Sequence, residues 1–359
     1  MQKLITVIGM HRSGTSVTAR ALGALGIELG DRLFPPGADN PKGYWEDAEI
    51  VALNERVLTK AGSRWDNLSP ISSAVLTSPE FSDLRREAST LLGGKIGQSA
   101  LFAFKDPRTS VLLPFWRLVF DDAELDHRYV IALRNPLEVA ASLETRNGFP
   151  IEKGALLWAH YTLEALRGSV GRPRMILQYT RMLSNPPEGL QRLAKLCGVQ
   201  PPKIDSLETQ AFVTEFIDKN LRRQRASDSE LKRSPRVPEF VRELYFNLQN
   251  NSDNFDNIDK IVAGASSLLG PLDVAGRALD LISAQLRETE TILKTDAASR
   301  IRDLEVDRTR ALSVISDLEA EKVSDRAVHA ASLKELEIDR ERERAHALSV
   351  IAGLEAEKA

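Results

Sequence analysis

The chain has 359 residues, five histidines, one cysteine and a formal net charge of −3. That length accommodates one large α/β domain and something more, and the near-neutral balance argues against a nucleic-acid binder. A single cysteine, Cys197, excludes an intramolecular disulfide and suits a reducing, cytoplasmic setting.

The first predicted strand is the apolar run LITVIG (4–9), which follows Met1 almost directly. No basic segment with a long apolar stretch precedes it, so no secretory leader is expected. No run of about 18 apolar residues occurs anywhere, so no membrane span is expected. The octapeptide GMHRSGTS (9–16) comes next, then the helix-like VTARALGALG. Strand, glycine-bounded loop and helix make a phosphate cradle, because loop N–H groups and the helix N-terminus face an anion. The spacing Gly9-x4-Gly14 is that of an ATP-binding P-loop, but the lysine position of that motif holds Thr15. The missing lysine argues against a nucleoside-triphosphatase. The positive charge sits inside the loop, at Arg12.

PPGADNPKGYWED (35–47) is a Pro/Gly-rich loop before the predicted helix AEIVALNERVL. Loops at a sheet's carboxyl edge often carry the working residues. Glu46 and Asp47 are its acids, and Asp47 is the better helix N-cap. Tyr44 and Trp45 either stack on a sugar ring or anchor the loop in the core.

The second predicted strand, LFAF (101–104), leads into KDPRTS. Lys105 and Arg108 place cations at the same edge. The plainer reading is a capping turn, with Asp106 as N-cap and Pro107 at N1. Asp106 is also a candidate partner for Arg12 or Lys105.

The third strand, YVIAL (129–133), lies in RYVIALRNPLEVAASL. Arg134 closes it, Asn135 is placed to N-cap the next helix, Pro136 suits N1, and Glu138 falls at N3 of a capping box. Ser142 lies two helical turns after the cap and on its face. An arginine and a hydroxyl so placed grip a second phosphate, or else simply decorate a capped helix.

RMILQY (174–179) is the fourth strand. Four near-continuous apolar runs separated by helical stretches predict an α/β fold, a P-loop-type doubly wound parallel sheet flanked by helices. Ligands of such sheets sit beyond the strands' carboxyl ends. FIDKNLRRQR (216–225) then brings Arg222, Arg223 and Arg225 close together.

From about residue 286 glycine and proline nearly vanish, and Glu, Arg, Asp, Ala and Leu dominate. Apolar residues at Leu304, Ala311, Ile315 and Leu318 follow 3/4 spacing in part. LEVDR (304–308) recurs as LEIDR (336–340), and ALSVISDLEAEK (311–322) as ALSVIAGLEAEK (347–358). The two offsets differ by four residues, a stutter in a heptad frame. A long helix, either a coiled coil or a solvated single helix, is expected. The predicted organisation is a P-loop-type domain over 1–225, a helical subdomain or connector over 226–285, and a coiled-coil-like repeat over 286–359.

On these residues the chain resembles sulfotransferases that use 3′-phosphoadenosine 5′-phosphosulfate (PAPS), in particular bacterial carbohydrate sulfotransferases. Their (K/R)SGT(S/T) loop for the 5′-phosphosulfate is matched by Arg12-Ser13-Gly14-Thr15-Ser16. Their arginine and serine eight residues apart, for the 3′-phosphate, are matched by Arg134 and Ser142. The segment ILQYTRMLSNPPEGLQRLAKLCGV (176–199) resembles a later strand and helix of the family, which makes Tyr179 a candidate near the adenine. The family's usual acid after that tyrosine is Thr180 here. The resemblance spans roughly residues 1–225 and implies PAPS as co-substrate, no metal ion, and a hydroxyl acceptor, most readily a glycan or glycolipid precursor. It also implies that the basic segment, through Arg223, closes over the nucleotide; a basic surface end is the alternative.

Sulfuryl transfer needs cations at the transferring group and a base at the acceptor. Arg12 and Lys105 are the candidate cations. Some related enzymes place a glutamate base in the loop before the second helix, which selects Glu46, with Asp47 as runner-up. His11 is a rival base or an orienter of sulfate oxygens; a mechanism without a single essential base is the remaining option. A P-loop kinase and a non-catalytic assembly module are the alternative functions. No nucleic acid and no membrane span are expected as partners, and 286–359 is expected to self-associate or to pair with a partner helix.

Overall fold

The computed structural model describes residues 1–37, 40–200, 206–216 and 225–356. Contacts divide the chain into two compact units, Met1–Leu281 and Ile282–Ala359.

In the first unit, β1 (Lys3–Ile8) leads to α1 (Thr15–Ala24). Three helices follow: α2 (Ala48–Lys60), the one-turn α3 (Ser73–Leu76) and α4 (Ser82–Ile96). β2 (Leu101–Lys105) passes through a 3-10 turn, Pro107–Ser110, into α5 (Leu113–Asp122). β3 (Asp126–Leu133) precedes α6 (Pro136–Asn147) and α7 (Ile151–Gly168). β4 (Arg174–Gln178) runs straight into α8 (Tyr179–Ser184) and α9 (Pro186–Cys197). Short α10 (Leu207–Ala211) and α11 (Asp228–Arg233) and longer α12 (Glu239–Asn250) come before α13 (Phe255–Ala356), within which the unit boundary falls.

The strands form one parallel sheet in the order β2-β1-β3-β4. The chain leaves β1 for β2 on one side and then crosses to β3 on the other. The carboxyl ends of β1 and β3 therefore flank the switch point, where ligands of such sheets bind. Alternate strand residues feed two buried clusters. Leu4, Ile8, Phe102, Phe104, Tyr129 and Ile131 face α2, α5 and α7. Ile5, Val7, Ala103, Val130, Met175 and Leu177 face α1 and α9. Both faces are covered, which is why each strand reads as an unbroken apolar run. Each fully buried Leu, Ile or Phe side chain contributes roughly 1.5–3 kcal/mol.

β3 starts at Asp126, ahead of the apolar run, because Lys3 and Leu4 of β1 pair with Asp126 and His127. The polar start is self-satisfied. Arg128 pairs with Asp126 at 2.6 Å, and His127 bonds Tyr129 at 2.8 Å and Asp121 at 3.0 Å. Tyr179, expected to end the fourth strand, instead opens α8.

Residues after 225 contribute to this unit's core through Val241, Leu244, Tyr245 and Leu248 of α12. Asp280 caps the turn after α2, accepting from Leu68 N at 3.0 Å and from Ser69 Oγ at 2.7 Å.

The second unit is helical from Ile282 to Ala356. Every described side chain from 288 to 349 is exposed. Surface pairs such as Lys294–Glu290 at 2.6 Å and Arg300–Asp296 at 3.1 Å support it, each worth about 0.2–0.5 kcal/mol. Among the described residues, no helix is long and apolar enough to cross a membrane.

Candidate active site

The four strands deliver their following residues to one edge: the loop from Gly9 after β1, Lys105–Arg108 after β2, Arg134–Asn135 after β3 and Tyr179 after β4. The phosphate loop is held open by its backbone. Gly9, Arg12 and Gly14 have φ of 130°, 68° and 91°. For Arg12 this left-handed conformation costs of order 1–3 kcal/mol, strain that tends to collect at functional sites. Gly14 is the N-cap of α1 and supplies no side-chain bond, and no acid stands in the first turn. The first N–H groups of a helix lack intrahelical acceptors, so this end is electropositive. A Cβ on Gly14 would meet Tyr179 Cδ2 at 2.4 Å, so glycine is needed here twice over. Gly9 N donates to Ser110 Oγ at 2.8 Å, which ties the loop to the turn after β2.

Two expected anion sites meet. Arg12 Nε donates to Ser142 Oγ at 2.9 Å, and Arg134 Nη1 donates to the Arg12 carbonyl at 2.9 Å. Arg134 and Ser142 are nearly buried, and the Arg134 guanidinium lies 4.6 Å from the centre of the Tyr179 ring. Asn135 caps α6, accepting from Leu137 N at 2.9 Å. Glu138 departs from its expected capping-box role. Its carboxylate accepts from Arg134 Nε at 2.7 Å and from Ala226 N at 3.1 Å. The arginine at the strand end needs an anion more than the cap does, since a buried unpaired charge costs more than one unmade backbone hydrogen bond at the cap. Arg222 and Arg223 lie outside the described residues.

On the β2 side, charges alternate. Lys105 Nζ contacts Glu46 Oε1 at 2.5 Å, the Tyr44 carbonyl at 2.9 Å and Ser16 Oγ at 3.4 Å. Ser16 Oγ in turn donates to the Tyr44 carbonyl at 3.0 Å. Arg108 reaches Glu46 at 3.7 Å, Glu55 at 2.5 Å and Asp106 at 2.9 Å. Asp106 is the N-cap of the 3-10 turn, accepting from Arg108 N at 3.0 Å. Its other oxygen accepts from Asn54 at 2.8 Å, and Asn54 is held by Trp116 Nε1 at 2.7 Å. The capping reading of KDPRTS agrees with this turn, the candidate cation Lys105 faces Glu46 at the same edge, and Asp106 pairs with Arg108 rather than with Arg12 or Lys105.

Glu46 is buried at this edge, whereas Asp47 is the N-cap of α2 and is bound by Lys95 at 2.8 Å. Trp45 anchors its loop: Nε1 donates to Lys42 O at 2.8 Å and the ring packs on the core.

His11 is buried between the Trp65 ring at 4.8 Å and the Tyr161 ring at 5.9 Å. Burial, then the nearby cations Arg108, Arg146, Lys105 and Arg12, hold the imidazole well below its ordinary range, so it is neutral at pH 7. Its Nε2 and the Ser13 Oγ are buried without a hydrogen-bond partner. Buried polar atoms are normally satisfied, so two orphans in one phosphate loop fit a ligand that supplies the missing bonds. Sequence reasoning missed Trp65, Tyr161 and Arg146 around His11. The tryptophan within the polar stretch GSRWDN was the available signal.

No protein-family model matches the sequence, and no curated protein matches it. Among solved structures it is similar to a sulfotransferase from Mycobacterium avium, at 17% identity and a TM-score of 0.37, over 60% of this chain and 68% of that one. It is similar to the sulfotransferase domain of the curacin biosynthetic pathway at 15% identity and a TM-score of 0.36, over 75% and 98% of the two chains. It is also similar to a retinol dehydratase in complex with androsterone and the inactive cofactor PAP, at 12% identity and a TM-score of 0.30, over 71% and 80%. Among the described residues no group of three or more His, Cys, Asp or Glu is placed to hold a metal ion.

Proposed function

We propose that this chain transfers the sulfuryl group of PAPS to a hydroxyl of a carbohydrate or glycolipid acceptor. The observation that carries this is the joining of the two candidate anion sites by Arg12, through its side chain to Ser142 and its carbonyl to Arg134. PAPS has two separated anionic ends and no γ-phosphate. The loop N–H groups with Ser13, Thr15 and Ser16 suit its 5′-phosphosulfate, Arg134 and Ser142 its 3′-phosphate, and Tyr179 its adenine.

In the reaction, the acceptor oxygen bonds to sulfur, the bond from sulfur to the 5′-phosphate oxygen breaks, and the acceptor proton passes to a base. Arg12 and Lys105 stabilise the charge that builds on the leaving oxygen. Glu46 is the base in this reading; it exchanges its contact with Lys105 for the acceptor hydroxyl when Lys105 turns to the donor. A second reading has one specific support. His11 is neutral and its Nε2 has no partner, so it competes with Glu46 for the proton. The kinase reading is weakened by Thr15 at the lysine position and by the commitment of Asp106 to Asn54 and Arg108.

A cytoplasmic site of action suits the lone Cys197, whose buried thiol is pushed up to about 12 and is therefore inert. The apolar positions of 286–349 pair with a second helix, from another copy or a partner protein.

Calorimetric titration with 3′-phosphoadenosine 5′-phosphate (PAP) beside Mg-ATP tests the reading. Micromolar PAP binding, weak or absent ATP binding, and loss of PAP binding in Arg134→Ala are expected. Tighter ATP binding would give the loop to a kinase, and binding of neither would leave the non-catalytic assembly reading.

A further inference from the structure

We propose that the helix beyond Leu281 pairs with the same helix of a second copy of this chain, parallel and in register. The inference rests on the pairing reading above and commits its partner and direction. It stands apart from the sulfuryl-transfer reading.

Between residues 300 and 326 one face of the helix carries Ile301, Leu304, Ile315 and Leu318, which are 57%, 68%, 51% and 58% exposed. The same spacing of three and four residues runs on through Arg308, Ala311 and Lys322. These are the central positions of successive heptads, the ones a paired helix covers. Exposed apolar residues in a continuous line call for a cover. The two cations within the line decide which cover fits.

In a parallel, in-register pair, a side chain at the first heptad position packs beside the residue just before it in the other helix. Asp307 precedes Arg308, and Glu321 precedes Lys322. Each central cation thereby meets an acid of the second copy, which offsets the like cation opposite. The flanking positions agree, since each faces the residue five further on in the other helix. Arg300 faces Glu305 of the second copy, and Glu321 faces Arg326 of the second copy. An antiparallel pair over the same segment would instead set Glu305 against Glu319 and Asp307 against Glu321. Like charges across an interface disfavour it.

The frame also shifts. Leu333 lies eleven residues after Lys322, where one heptad is seven, so four residues are inserted. Past the insertion the alternation returns, with Leu333, Leu336 and Arg340 central, Asp339 before Arg340, and Arg344 five residues after Asp339. A protein of different sequence would have to reproduce both the alternation and the insertion, whereas a second copy in register brings both. Within one helix Asp307 lies 3.9 Å from Arg310 and Asp339 lies 3.5 Å from Arg342, all four side chains at least 71% exposed. Such exposed pairs are weak and leave the acids able to reach a second helix.

The test uses the full chain, which should sediment as a dimer. Leu304→Cys and Leu318→Cys, each alone in a glutathione redox buffer, should both give a disulfide-linked dimer. Two copies of position 304 and two of position 318 both come within bonding distance only in a parallel, in-register pair. The native Cys197 is buried and does not interfere. Asp307→Arg should weaken the dimer about 5-fold or more at low salt, and the exchange Asp307→Arg/Arg308→Asp should restore it. Linkage only when the two cysteine variants are mixed, or a dimer indifferent to Asp307→Arg, would overturn the parallel pairing. A monomeric full chain would overturn the second copy and leave the face to a different protein. Failure of PAP to bind would sink the sulfuryl-transfer reading and leave this one standing.

Discussion

The edge of the sheet and the helix after Leu281 are opposite uses of charged residues. At the edge, Lys105, Glu46, Asp106 and Arg134 are buried and each is tied to named partners. Along 288–349 charges are as frequent but every described side chain is exposed. Charges in water are screened and contribute tenths of a kcal/mol each, whereas removing one partner of a buried pair leaves an uncompensated ion. Function that depends on single residues is therefore expected at the edge, and function that depends on pattern is expected in the helix.

The largest break in that contrast would come from Arg12→Ala. Turnover of PAPS should fall about 1,000-fold or more while thermal unfolding stays cooperative, since the residue sits in a loop. Unchanged turnover would remove the octapeptide from the chemistry. Glu46→Gln comes next. It should lower kcat by about 100-fold or more with little change in PAP affinity. Equal losses in both would make Glu46 a folding or binding group that serves Lys105, and His11→Gln would then be the variant to assay for the base.

A smaller effect concerns protons. Burial pushes His160 down to about 4 and holds His11 well below its ordinary 6.5. Both groups take up a proton more readily unfolded than folded. Stability should therefore be full above pH 6.5 and fall as pH drops toward 4, by roughly 1.4 kcal/mol per pH unit for His160, with His11 adding to the fall in the same direction. Urea midpoints at pH 7, 6 and 5 should show a shallower fall in His160→Leu. A parallel fall would assign the acid sensitivity elsewhere. The smallest effect on chemistry is expected from cutting after Leu281. Turnover should be unchanged while the particle in solution shrinks by more than the lost mass. A full-length chain that is already a monomer would deny the helix its pairing role.

Much of the fold was legible because buried parallel strands are written as continuous apolar text. The exception is instructive. Asp126, His127 and Arg128 are polar yet belong to β3, since they satisfy one another and Asp121. The glycine-bounded loop after β1 and the capped helix after Arg134 were legible for a local reason, as turn chemistry, capping and helical spacing act over a few residues. What was not legible lies between distant segments. Arg12 meets Ser142, Lys105 meets Glu46 and His11 meets Trp65 only once the sheet has brought separate strand ends together. Glu138 shows the same limit. Its spacing fits a capping box, but a neighbouring buried arginine outbids the cap.

The alternation Lys105, Glu46, Arg108, Asp106 has a consequence for the order of events. Any anion arriving at Lys105 competes with Glu46 for the same ammonium. By thermodynamic reciprocity, whatever that competition costs the anion is returned as freedom of the carboxylate. Two ligands bound on opposite sides of Lys105 would thereby be coupled with no moving domain. The one that loosens Glu46 prepares the edge for the one that needs it.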